Sequence, residues 1–365
     1  MSEWQTFCLK DLVKIFGGST PPTNNPKNYG NKIRWITAKD LSTLQGRYIK
    51  KGSRNISRLG FKSCSTFLLP KHAILFSVRA PIGYTAIISK RSCTDRGLMG
   101  LVPNKKIYFE FLYYLLKYHK DNISNMGVGT TFKGISKPAL GLFQVKIPPT
   151  YYEQQKIAHT LSVLDQKIEN NHKINELLHN LAHKVYEYYF KYKPKNAKLE
   201  QIIIENPKSN IMVKNAQKTQ DKYPFFTSGD NTLSYPKAII DGRNCFLNTG
   251  GNAGIKFYVG KASYSTDTWC IGANEFSDYL YLLLSSIKTH INQSFFQGTS
   301  LKHLQKNLLK KYPIYMPSAH EIKKFNQIIM PLLTLISINT RTSKKLEQIR
   351  DFLLPLLLKQ QVKPQ

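Results

Sequence analysis

The sequence predicts a mixed α/β (α+β) protein built from two unlike modules. Each module is followed by a long helix. The two helices are expected to pack along their length as a coiled coil. Three observations carry this prediction. One passage is written twice, with Pro149, Glu153 and Lys156 falling on Pro317, Glu321 and Lys324. Both copies carry apolar residues in alternating steps of four and three, the seam of helices that pack along their length. The stretches before each copy alternate short β-branched and aromatic runs with Gly-rich loops and a single helical run.

The expected order is a first module at 1–150, a first helix at 151–193, a second module at 194–318, a second helix at 319–361 and a tail at 362–365. The first module opens with the short apolar element LKDLVKIF. Its strand-like runs are IRWITA, AILFSV and YTAIIS, followed by a helix over Tyr108–Ile123. A Gly-Thr loop and a last strand lead into Pro149. In the first long helix, Ile157, Leu161, Leu164, Ile168, Leu178, Val185 and Tyr189 form the seam. The second module repeats this plan in other residues: LEQIIIE, then CFLNT, IKFYVG and WCIGA, then a helix over Glu275–Asn292. In the second long helix, Phe325, Ile329, Leu332, Ile336, Leu346, Leu353 and Leu357 form the seam. Both seams turn polar at the same place, at Asn171 and Asn175 in the first and Asn339 and Ser343 in the second. Either these residues meet in a polar layer that fixes register, or they rotate out to solvent. Antiparallel pairing would bring Asn171 near Ser343 and Asn175 near Asn339. Pro331 and Pro355 predict a less straight second helix.

Charge points to a partner. The 365 residues carry a formal +31, which calls for a polyanion. Residues 1–150 alone hold 24 Lys/Arg against 6 Asp/Glu, net +18. No apolar run approaches the ~18–20 residues of a membrane span, and MSEWQTFCLKDL predicts no secretory signal. The five cysteines are scattered without a C-x-x-C, which suits reduced thiols in a cytoplasm.

The loops carry groups suited to nucleic acid. GGSTPPTNN offers Ser19 and Thr20, and the Lys39 turn follows IRWITA. SVRAPIG offers Arg79, and GTTFKGIS offers Thr130, Thr131 and Lys133. The second module offers Ser228 in FFTSGD, Asn248 and Asn252 in NTGGNAG, and Thr299, Ser300 and Lys302 in GTSLKHL. Hydroxyls, ammonium groups and backbone N–H suit phosphate oxygens, whereas guanidinium and amide groups suit base edges.

Catalytic patterns are missing. GIKFYVGKAS has the wrong spacing for a phosphate loop, and no G-x-G-x-x-G follows a strand. TPPT lacks the amide or acid and the aromatic of amino-methyltransferase tetrapeptides. Asp165 and Lys167 lack an upstream Pro-Asp. His179 and His183 lie one turn apart, but without the H-E-x-x-H order. No catalytic residue, metal site or cofactor site is therefore expected.

In its order of motifs and their double occurrence, the chain resembles the specificity subunits of type I restriction–modification systems. The residues that carry this are GGSTPP, IRWITAKDL, SVRAPIG, GTTFKGIS and IPPTYYEQQKIAHTLSVLDQKI in the first half. FFTSGD, LNTGGNAG and SAHEIKKFNQII carry it in the second. The resemblance implies a non-catalytic subunit with two target-recognition domains, each reading one half of a split double-stranded DNA target. The two helices would pair as an antiparallel coiled coil with pseudo-two-fold symmetry and act as spacer. Two methyltransferase subunits, which methylate adenine N6 with S-adenosylmethionine, would dock on it. Restriction-motor subunits using ATP and Mg²⁺ would join them. Three other readings stay open: a recognition subunit serving a methyltransferase alone, a self-sufficient DNA-modifying enzyme, and an RNA-binding scaffold. Neighbouring chains, S-adenosylmethionine binding and RNA preference would respectively discriminate them.

Overall fold

The computed structural model describes residues 3–128, 133–216 and 222–364. The chain forms two compact units. One comprises Met1–Asn170 with Ser343–Gln365, and the other Asn171–Thr342. The unit boundaries fall inside the two long helices, so each helix contributes to both units.

In the first unit, a five-stranded sheet runs in the order Val13–Gly17, Leu98–Pro103, Ile74–Ser77, Thr85–Ile88 and Tyr48–Ile49. Its neighbours are antiparallel except the last pair. A three-stranded sheet joins Arg54–Ile56, Tyr29–Ile36 and Cys93–Thr94, the last pair parallel. Gln5–Cys8 pairs with Gln144–Ile147 and closes the module at its base. The helix Phe109–Tyr118 is buried along FLYYLL and covers the larger sheet. It stops at His119, and a second short helix, Lys120–Asn125, follows. The predicted helix over Tyr108–Ile123 is therefore two helices. The strand Leu98–Pro103 carries no period-two signal because it is buried on both faces along LMGL, and Gly100 sits where a Cβ would strike Leu69.

The second unit repeats this topology. Its four-stranded sheet runs Ile204–Glu205, Thr268–Gly272, Arg243–Asn248 and Ile255–Val259, all antiparallel. Its three-stranded sheet joins Leu233–Tyr235, Tyr223–Phe226 and Ser263–Tyr264, again with the last pair parallel. Ala197–Lys198 pairs with Pro313–Ile314. The covering helix, Ser277–Ser286, is likewise followed by a short one, Lys288–Ser294. The sequences differ, but strand order and pairing sense match, except that the fifth strand of the first sheet, Tyr48–Ile49, has no counterpart among the described residues.

The long helices span Tyr151–Tyr186 and Ala319–Leu358. The first begins with the Thr150 hydroxyl accepting from the Glu153 N–H at 3.2 Å, and the second with a full capping box of Ser318 and Glu321. The second helix continues through Pro331 and Pro355. At the end of the first, Glu187–Lys191 forms a π-turn that buries Phe190. Within the first unit the helices run antiparallel: Ile157 and Leu161 share a core with Leu354 and Leu357, and Arg350 bonds Asp165 at 2.7 Å. Within the second unit they do the same, with Phe190 on Phe325 and Asn339 donating to Asn175 Oδ1 at 2.9 Å. The polar centre therefore turns inward. Asn171 and Ser343 are both buried. The other named seam residues, from Ile157 to Val185 and from Phe325 to Leu353, are buried or half-buried.

Each module is fastened to a long helix by an arginine. Arg47, almost wholly buried, reaches Glu110 on the covering helix and Glu169 on the first long helix, both at 3.2 Å. Its backbone N–H also donates to Glu169 at 2.8 Å. Gly46, at φ +117°, makes that turn. In the second unit Arg243 pairs with Asp278, the repeat counterpart of Glu110, and donates to Thr334 on the second long helix at 2.9 Å. Burial holds the Asp278 carboxyl above its ordinary range despite that pairing.

Candidate nucleic-acid interface

Segments far apart in sequence converge at one edge of each module through backbone hydrogen bonds. In the first unit, Ser19 N–H donates to Thr94 O at 3.0 Å, and Asp95 N–H to Ile36 O at 3.0 Å. Val78 N–H donates to Gly97 O, and Ile135 N–H to Val78 O, both at 2.9 Å. Arg79 and Gly134 form a β-bridge. One loop cluster therefore carries Ser19, Thr20, Lys39, Arg79 and Lys133. Lys39, Arg79 and Lys133 are exposed, and Ser19 and Thr20 are half-buried. Thr130 and Thr131 lie outside the described residues.

The cluster is braced from below. Trp35 Nε1 donates to Ser19 O at 3.2 Å, Tyr29 OH to Pro21 O at 3.0 Å and Asn28 Nδ2 to Pro22 O at 3.0 Å. The Lys39 turn is capped by Thr37 and Asp40. Burial raises the Asp40 carboxyl, but hydrogen bonds from Thr37 and Ser53 outweigh it and leave the group below its ordinary range. Burial pushes Asp95 up, although Gly97, Ala38 and Arg79 pull against it.

The second unit gathers the corresponding loops. Gly251 N–H donates to Lys302 O at 2.9 Å and Leu304 N–H to Thr249 O at 3.0 Å. Thr249 N–H donates to Asp267 O at 3.2 Å, and Ser228 Oγ also donates to that carbonyl. Asn252, Thr299, Ser300 and Lys302 are exposed, and Ser228 is half-buried. Asn248 is buried, and its amide donates to Ser228 O at 2.7 Å and Asn252 O at 3.1 Å. It holds the loop from within. Ser77 does the same in the first unit, where its hydroxyl donates to Pro81 O at 2.9 Å. The two loops thus share a brace despite unlike residues.

Sequence reasoning missed three members of these edges. Arg54 is exposed and lies 3.9 Å from the Tyr29 ring. Lys256 donates to Thr227 O at 2.7 Å and to Gly229 O, and burial lowers its ammonium below the ordinary lysine range. Asp267 anchors four loop contacts through its carbonyl and carboxylate. The shared Thr-Asp of CTDRGL and STDTWC is the one signal that pointed there.

Among the described residues, no group of three His, Cys, Asp or Glu side chains is placed to hold a metal ion. His179 lies 3.4 Å from the Tyr281 hydroxyl, and burial holds both His179 and His183 below the ordinary histidine range. None of the five cysteines is in a disulfide. No described helix is long and apolar enough to cross a membrane.

Comparison with known proteins agrees with this architecture. The profile of the type I restriction modification DNA specificity domain matches residues 1–180 and 195–348. The chain is 30% identical to the type I restriction enzyme MjaIX specificity subunit of Methanocaldococcus jannaschii, over 98% of this chain and 93% of that one. It is 27% identical to the HindI specificity subunit of Haemophilus influenzae, over 46% of this chain and 37% of that one. The crystal structure of a type I system S subunit from M. genitalium has the same fold. It superposes with a TM-score of 0.64 at 18% identity, covering 98% and 96% of the two chains. On the doubled module, the paired helices and these matches, the chain belongs to the specificity-subunit family of type I restriction–modification systems.

Proposed function

We propose that this chain reads a split double-stranded DNA target for a type I restriction–modification complex, one half-site per module. The observation that supports this best is the convergence of exposed Lys39, Arg79 and Lys133 on one edge of the first module, and of Asn252 and Lys302 on the equivalent edge of the second. In this reading, phosphate contacts from lysines and hydroxyls set affinity, and the guanidinium and amide groups read base edges. The long helices serve as spacer and as docking surface for two methyltransferase subunits, with restriction-motor subunits joining them. The chain itself is non-catalytic in this reading. S-adenosylmethionine, ATP and Mg²⁺ belong to those partners, and the complex works in the cytoplasm.

The test uses the full chain with and without its methyltransferase. Alone, it should bind duplex DNA with an affinity that falls steeply with salt and should transfer no methyl group. With the methyltransferase, it should direct adenine methylation to one bipartite sequence. Methyl transfer by the isolated chain, or preference for single-stranded RNA, would overturn the reading. Recovery of a motor subunit with the complex separates restriction from methylation alone.

A further inference from the structure

Two helices that are copies of one passage raise a pairing problem. Antiparallel packing that joins the first helix to the second within one chain is equally open to the same helix of two copies. Most of the seam gives no preference. Ile157 and Phe325, Leu161 and Ile329, Leu178 and Leu346, and Val185 and Leu353 are apolar counterparts at the repeat spacing. The central layer gives none either. Asn175 and Ser343 are counterparts, as are Asn171 and Asn339, so every pairing there sets polar against polar.

One layer differs. In the first unit, Asp165 on the first helix receives Arg350 Nη1 of the second helix at 2.7 Å and the Tyr114 hydroxyl at 2.6 Å. Both carboxylate oxygens are engaged, and the Asp165 side chain is only 6% exposed. The counterparts of Tyr114, Asp165 and Arg350 are Leu282, Leu333 and Ala182. All three are buried in the apolar core of the second unit. The same layer is thus ionic in one unit and aliphatic in the other.

We propose that the Asp165–Arg350 pair is a pairing code that joins the first helix to the second and rejects first-with-first or second-with-second association between copies of this chain. In a first-with-first pair, Asp165 would face Ala182. In a second-with-second pair, Arg350 would face Leu333. The first leaves the buried Asp165 carboxylate without its cation, which disfavours the pair by on the order of a hundredfold or more, and the second leaves Arg350 only its exposed neighbour Asp351, at 2.8 Å. Correct pairing satisfies the charge and adds the tyrosine hydrogen bond. A single asymmetric polar contact is enough to select partners in a helical seam.

The test co-expresses two full-length copies carrying different tags and measures recovery of the second tag on purification through the first. Replacing the layer with its aliphatic counterparts, Tyr114→Leu, Asp165→Leu and Arg350→Ala, should raise co-recovery at least about tenfold over the unmodified pair. Co-recovery unchanged in a cooperatively melting triple variant would overturn the proposal. A second arm covers poor folding of that variant. One copy carries Asp165→Arg and the other Arg350→Asp, so that matched charges exist only between chains. These copies should be recovered together at one to one, while a single chain with both changes should segregate as the unmodified protein does. Failure of the singly changed copies to associate, with the doubly changed chain folded, would equally overturn it.

Discussion

Single residues in the two loop clusters divide into those that face outward and those that hold the loop. Lys133 is exposed beside Gly134, which bridges to Arg79. Lys133→Ala should weaken binding to many duplex sequences alike and lower the salt slope by about one unit, as for a phosphate contact. A changed sequence preference at constant affinity, read by competition against a site library, would show a base-reading role instead. Asn248 sits on the other side of this division. Asn248→Ala removes both amide donors from the carbonyls of Ser228 and Asn252. The loss should be about 1–3 kcal/mol in stability, seen by denaturant unfolding, with weakened reading of one half-site only. In the sequence Asn248 and Asn252 look alike, because a polar residue beside glycines reads as surface. Only the fold shows that Asn248 ends a buried strand while Asn252 stands at the exposed tip.

At the scale of elements, the long helices were the most legible part of the sequence and the strands the least. A seam of seven apolar positions over about 35 residues has few alternatives. Strands buried on both faces, such as Leu98–Pro103, lose the alternation that would mark them. The paired loops were legible only as motifs, since their meeting depends on crossovers that no local pattern encodes. Helix starts are written plainly as T-x-x-E and S-x-x-E. In the second, Glu321 accepts from the Ser318 N–H at 2.9 Å and from the Tyr315 hydroxyl at 2.8 Å. The Ser318 backbone bond, then the Tyr315 hydroxyl, push the Glu321 carboxyl down to about 2. Glu321→Ala should cost roughly 1 kcal/mol at neutral pH. Because the folded carboxyl is the stronger acid, its contribution is present above the unfolded value of 4.5 and fades as pH falls toward 2. The gap in melting temperature between variant and unmodified chain should therefore narrow over that window. A constant gap would mean that the carboxylate has no part in the cap.

For the whole molecule, the repeat explains why one chain is written as two unlike modules on two like helices. Shared topology and shared anchors, Glu110 with Asp278 and Ser77 with Asn248, keep each module's edge in the same frame. The loop residues on that edge are then free to differ, so exchanging residues 7–149 for those of a relative should change one half-site and leave the other intact. The helices have a different task in the proposed function, to set the number of base pairs between half-sites. Because Asn175 is held by Asn339, lengthening one helix alone would break their register. The insertion must therefore be made in both, four residues at each unit boundary, after Asn170 and after Thr342. Four residues add about one turn and keep the seam nearly in phase, while extending each helix by ~6 Å. DNA rises ~3.4 Å per base pair, so the preferred gap should grow by one or two base pairs with both half-sites unchanged. Mapping methylated adenines in a host that carries the lengthened chain and its methyltransferase reads this directly. A gap that stays the same would show that the spacing is set elsewhere than in the helices.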